Sequence, residues 1–318
     1  MKKIIDAINP TYPIGLTILF LYLLMIMGAF VTSTGSGLAC PDWPLCYGSV
    51  RPPFRMNIWF EWGHRLLGGA TGLLLIVSTV FVWMRYKGAA RILTAMILGL
   101  LLIGVLIGGL TVVTEAPYLD NFFRIAIVSS HLIIATMVLT SLIFTLRKIS
   151  GNNNVAEKGY AFFLFCLVYL QVILGILVRY SKASLACPDF PLCQGQIIPN
   201  LGNSAVALHF THRITAGAVL LFTIFLLYRA IKRSRGIRFE AITLSLVILQ
   251  AAFGISLILT GMFLPVIILH GATGFILLGW LAYQSAPFLF SRRAPTAGLE
   301  NPDYRDRRDI LVPHLRGR

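Results

Sequence analysis

Histidines 64, 131, 212 and 270 fall in long apolar stretches, and His209 lies one helical turn before His212. Ionisable or metal-binding side chains inside an apolar span are functional candidates by default. His64 and His212 open their stretches, and His131 and His270 lie in the first third of theirs. With alternate stretches running in opposite directions but these stretches sharing one direction, all four stand at similar depth. Equal depth pairs His64 with His131 and His212 with His270. Two facing imidazoles can sandwich one heme iron, and bundle interiors suit such sites. The residue four positions on is small each time: Gly68, Ala135, Ala216 and Gly274. Residues i and i+4 share a helix face, and a flat porphyrin beside its ligand needs that face low. Small residues also let membrane helices pack closely, so a structural reading of each position stays open. Zinc fits less well, because structural zinc gathers four N or S ligands and the paired cysteines sit in loops.

Glu61 precedes His64 by three residues and shares its face. The matching place before His212 is His209. A carboxylate beside a metal pocket can take a proton or stabilise a developing cation, and a histidine is a poorer counter-charge. Arg65 and Arg213 follow the first histidine of each pair. They could hold the carboxylates of a bound group by charge-assisted hydrogen bonds, or only snorkel to the interface. Glu115 and Asp120 read as solvated loop residues, and His314 as a solvated tail residue.

The elements that must position these groups are apolar runs near 20 residues, long enough to cross a hydrocarbon core roughly 30 Å thick. They cover about 14–34, 62–84, 92–113, 124–146, 160–180, 208–230, 239–260 and 264–288. In hydrocarbon each must be helical. The chain is 57% hydrophobic and only 12% charged, against roughly 25% charged in soluble domains. Its net charge of +15 does not form a basic helix face that would suit nucleic acid. Instead, 20 of its 27 Lys and Arg residues fall on the N-terminus, alternate loops and the tail. By the positive-inside rule both termini face the cytoplasm of a cell-membrane protein. The fold class expected is an all-α integral membrane protein with eight transmembrane helices.

Leu38–Cys46 reads LACPDWPLC and Leu185–Cys193 reads LACPDFPLC, an offset of 147 residues. EWGHR at 61–65 matches HFTHR at 209–213. The chain therefore divides into a half at 1–150, a half at 151–290 and a polar tail at 291–318 expected to be disordered. Four spans per half return the chain to its starting side, so the two four-helix bundles are related by a pseudo-twofold axis along the membrane normal. Cys40 and Cys46 share one outer loop, and Cys187 and Cys193 another. The outer side is oxidising, which favours disulfides Cys40–Cys46 and Cys187–Cys193; a redox role for the first pair stays open. Asp42 and Asp189 are expected to fix turns in these loops, and Cys166 to be buried within the fifth span.

A GSGLACPDWPLC loop, ExxHR opening span two, a repeated cysteine loop, HxxHR opening span six and lone histidines in spans four and eight together resemble the heme A synthase family. The resemblance covers about residues 14–288. It implies that the first half holds substrate heme O between His64 and His131, with Glu61 at the reacting edge. It implies heme b between His212 and His270 as an electron carrier, and heme A as product, formed by successive hydroxylations with oxygen from water. Heme O synthase as donor, a membrane electron acceptor and a homo-oligomer are further expectations. Two other readings compete. A bis-histidine cytochrome b exchanging electrons with quinone gives Glu61 no task, and a heme transporter lacks the broken spans expected of one.

Overall fold

The structure, a computed structural model, describes residues 9–116, 122–151 and 158–290. Asp120 and the tail 291–318 with His314 lie outside the described residues. Eight helices form: α1 Thr11–Ser33, α2 Met56–Arg85, α3 Ala89–Val113, α4 Phe122–Ile149, α5 Lys158–Tyr180, α6 Ser204–Lys232, α7 Ile237–Leu259 and α8 Leu264–Phe290. All eight are long and apolar enough to cross a membrane, so the chain is a multi-pass membrane protein. Among the described residues the only β features are two single-residue bridges within loops.

Helices α2 and α6 begin earlier than the apolar runs at 62 and 208 suggest. Arg55, in extended conformation, stands at the N-cap and α2 begins at Met56. Asn203 caps α6, its Oδ1 accepting from the N–H groups of Ala205 (3.0 Å) and Val206 (3.3 Å). The histidines therefore sit in the third turn, and in the first two turns Ile58 and Val206 pack against the loop cysteines beside buried Glu61 and His209. The end of α1 is a left-handed cap: Gly35 has φ +68°, and Ser36 N–H reaches Val31 O at 2.9 Å. The end of α5 repeats it, with Ala183 N–H on Val178 O at 3.0 Å and Lys182 in the left-handed position.

The helices α1–α2–α3–α4 pack in a closed ring, each on the next and α4 back on α1. Helices α5–α6–α7–α8 do the same. The rings meet at α4–α8, and at α1–α8 and α4–α5. Exchanging α1–α4 for α5–α8 leaves that pattern unchanged. Leu21, Leu75, Leu142, Leu164 and Leu278 are among the fully buried side chains of the shared apolar interior. Between apolar layers, hydroxyls tie helix to helix. Thr17 meets Ser78 at 2.9 Å across α1–α2, Thr136 meets Tyr169 at 3.1 Å across α4–α5, and Trp280 Nε1 donates to Thr243 at 2.9 Å across α7–α8. Hydroxyls that also bond their own helix satisfy themselves in hydrocarbon. Cys166 corrects an expectation: it is exposed on α5, because the outside of a membrane helix is as apolar as its inside.

Candidate functional site

His64 on α2 and His131 on α4 face one another, ring centroids 6.5 Å apart and planes inclined by 66°. A metal lies about 2 Å from an imidazole nitrogen, so imidazoles on opposite sides of one metal have centroids roughly 6 Å apart. The pair is thus spaced to hold one metal, such as the iron of a heme, between its two rings. Nδ1 of His64 and Nδ1 of His212 are buried and have no hydrogen-bond partner among the described residues. Nδ1 of His131 lies 2.9 Å from the carbonyl of Gly104, to which its N–H donates, so that the lone pair of Nε2 is left to bind a metal. Among the described residues no three His, Cys, Asp or Glu side chains converge as a metal cluster. Paired imidazoles suit a metal that brings its other ligands with it.

Each histidine rests on a glycine of the preceding helix. A Cβ built on Gly28 of α1 would lie 3.1 Å from His64 Cε1, and one on Gly108 of α3 would lie 3.0 Å from His131 Cε1. The values are 3.1 Å for Gly175 of α5 on His212, and 3.3 Å for Gly254 of α7 on His270. The imidazoles occupy room that any side chain would take. Sequence reasoning picked the small residues four positions after each histidine and missed these seats. Their signal was present, since Gly28 and Gly175 are 147 apart, the repeat offset.

Glu61 and His209 occupy matching places, and both are buried, at 3% and 5% exposure. Glu61 Oε2 accepts the Cys40 N–H at 2.7 Å. His209 Nδ1 accepts the Cys187 N–H at 3.4 Å. Each therefore holds the first cysteine of a loop closed by a disulfide, Cys40–Cys46 or Cys187–Cys193. Arg65 pairs with Glu61 Oε1 and donates to the carbonyls of Asp42, Leu45 and Cys40. Arg213 donates likewise to Asp189 (2.8 Å), Leu192 (2.8 Å) and Cys187 (2.7 Å). The guanidinium groups, considered from the sequence as partners for carboxylates of a bound group, here clamp the loops. An Arg fork suits several carbonyls at once. Only the first half adds an acid to that clamp.

The loops themselves are built alike. The Asp42 carboxylate accepts from Tyr47 N–H (2.6 Å) and Gly48 N–H (2.8 Å), and Asp189 from Gln194 and Gly195 N–H (2.7 Å each). Tyr47 and Gly48 have φ of 55° and 64°, a tight turn that the carboxylate stabilises. These hydrogen bonds hold both aspartates below the usual carboxylate range, the Gly48 and Gly195 N–H groups contributing most. The Trp43–Pro44 and Phe190–Pro191 peptides are cis. Trp43 lies on Gly109, where a Cβ would come within 3.0 Å of its ring. The first loop is thereby laid against α3 next to Gly108, the seat of His131. Glu115 is exposed, as expected.

The COX15-CtaA family profile, described as cytochrome oxidase assembly protein, matches residues 13–58 and 52–282. A heme A synthase of Halalkalibacterium halodurans is 33% identical over 285 residues, covering 84% of this chain and 93% of the relative. One from Alkalihalophilus pseudofirmus is 31% identical over 277 residues, covering 83% and 92%. One from Shouchella clausii is 33% identical over 260 residues, covering 77% and 85%. With paired imidazoles, repeated cysteine loops and eight spans inside these matches, the chain belongs to the COX15-CtaA family of cytochrome oxidase assembly proteins.

Proposed function

We propose that the chain is a heme A synthase that oxidises a methyl group of heme O to the formyl group of heme A. The observation that carries this reading is the facing of His64 and His131 at 6.5 Å, with buried Glu61 one turn away on α2. A methyl group and one water give a formyl group, four protons and four electrons. The substrate is oxidised, and an electron acceptor in the membrane is reduced. Two successive hydroxylations with oxygen from water lead through a gem-diol that loses water.

His64 and His131 hold the substrate iron and fix the porphyrin edge against α2. Glu61 receives protons released at that edge, and its negative charge opposes cationic character developing there. Arg65 keeps Glu61 aimed by direct pairing. The disulfide loop, with Trp43 against Gly109, limits water to the outer rim. His212 and His270 would hold a heme b, which when bound would supply one-electron transfer away from the first half. His209 in place of Glu61 leaves that half without an acid. The distribution of Lys and Arg supports cytoplasmic ends and outward disulfide loops in the cell membrane. Heme O synthase is the natural donor of substrate, and a homo-oligomer would bring sites into one assembly.

Membranes carrying Glu61→Ala should still bind heme and accumulate heme O or a hydroxylated heme, with heme A formation lowered about 100-fold. Wild-type formation of heme A in that variant would defeat the assignment of Glu61. A cytochrome b exchanging electrons with quinone is the second reading, favoured by the matching glycine seats in both halves. It predicts heme b alone.

A further inference from the structure

Two glutamines distinguish the halves. Gln171 on α5 and Gln250 on α7 each stand four residues before a glycine that seats a histidine, Gly175 and Gly254. Gln171 Nε2 donates to the backbone carbonyl of His212 at 3.0 Å and lies 3.3 Å from its ring Nε2. Gln250 Nε2 donates to the carbonyl of His270 at 3.1 Å and lies 3.3 Å and 3.4 Å from Nδ1 and Nε2 of its ring. Thr273 Oγ1 donates to Gln250 Oε1, which pins that amide from its other end. Gln171 Oε1 is buried and has no hydrogen-bond partner among the described residues. A buried amide is costly in a membrane interior unless its groups are bonded.

The places four residues before Gly28 and Gly108 are Leu24 and Gly104. Neither can offer an amide side chain. Thus both histidines of the second half have a glutamine against the ring, and neither histidine of the first half has one. Each amide is anchored on the backbone carbonyl of its histidine and lies against the ring, which restricts the ring's orientation; loss of the partners that orient a ligand imidazole typically costs 10–100-fold in metal affinity.

We propose that Gln171 and Gln250 are positioning residues that lock the imidazoles of His212 and His270 and so make the heme of the second half a permanent one. In the first half only His131 is held, by the Gly104 carbonyl, while His64 Nδ1 has no hydrogen-bond partner among the described residues; that half binds a heme that must arrive as substrate and leave as product. This inference rests on the reading that the second half holds a resident heme b.

The test uses the full-length protein with His64→Ala and His131→Ala, so that bound heme reports the second half. Heme loss to excess apomyoglobin and the reduction potential are measured before and after adding Gln171→Met and Gln250→Met. Methionine keeps the length and removes the amide. Heme loss should accelerate at least about tenfold, with a shifted potential. Loss within twofold of the parent at unchanged potential would overturn the inference while leaving the resident heme in place. A parent that holds no heme would instead refute the reading beneath it. As an independent arm that leaves the second half untouched, Leu24→Gln in the otherwise wild-type chain should slow heme release from the first half about tenfold. An unchanged release there would also count against the inference.

Discussion

At Gly28, Gly108, Gly175 and Gly254 the space of a side chain is filled by an imidazole from the next helix. This contact sets how far each ring can approach the interior, and it is the smallest unit on which the site depends. In Gly175→Ala the new methyl would stand 3.1 Å from His212 Cε1, so the ring must shift or the helices part. Overpacking of this kind costs on the order of 1–3 kcal/mol. Heme b should then bind the second half roughly tenfold more weakly, with an altered spectrum, and heme should remain in the first half. Spectra of the purified variant, taken beside those of Gly28→Ala as the mirror case, check this. The histidines were legible in the sequence because an imidazole in an apolar run is rare. The glycines were not, because glycine in a membrane span ordinarily serves close packing; the repeat offset marked only Gly28 and Gly175. The two glutamines were overlooked for a related reason: a neutral amide does not stand out as a charge does.

At the scale of elements, the disulfide loops and the first turns of α2 and α6 act as units. Their shared construction was visible in the repeated CPD motif. What the motif does was not visible: each Asp reaches forward to the turn after the second cysteine. The early helix starts escaped the apolar pattern because Glu61 and His209 interrupt their apolar residues, which pack beneath the cysteine loops. Arg65 and Arg213 belong here too, since the carbonyls they clamp come from residues 20–26 positions earlier in the chain. A pH dependence follows from the aspartates. Their folded pKa values are depressed, so their contribution to loop order is present above the ordinary carboxylate range, near 4. It is lost as pH falls through the lower folded values. Reduction of Cys40–Cys46 by a phosphine should therefore accelerate as pH falls from about 5 to about 3, with no comparable change between about 6 and 8. Asp42→Asn should be reduced quickly throughout. A wild-type rate that stays flat down to the acid limit would remove Asp42 from the account of the loop.

Over the whole molecule, two four-helix rings share one interface. Tyr22 donates to the Ala272 carbonyl at 3.3 Å across α1–α8, and buried Arg147 meets the Tyr283 hydroxyl at 2.7 Å across α4–α8. Arg147 also lies 4.3 Å from the centre of the Tyr283 ring. The eight spans and the duplication were legible because hydrocarbon demands long apolar helices and the cysteine motifs repeat almost unchanged. Which helices would close the interface was not legible, since membrane helices are apolar all round and carry no stripe to mark the buried side. Joining two similar rings places two sets of glycine-seated histidines in one molecule, and the acid at position 61 makes them unequal. Extraction of the pigment from purified wild-type protein, followed by mass analysis, tests that inequality most directly. The account predicts heme b together with heme O or heme A. Heme b alone, or no heme, would contradict it.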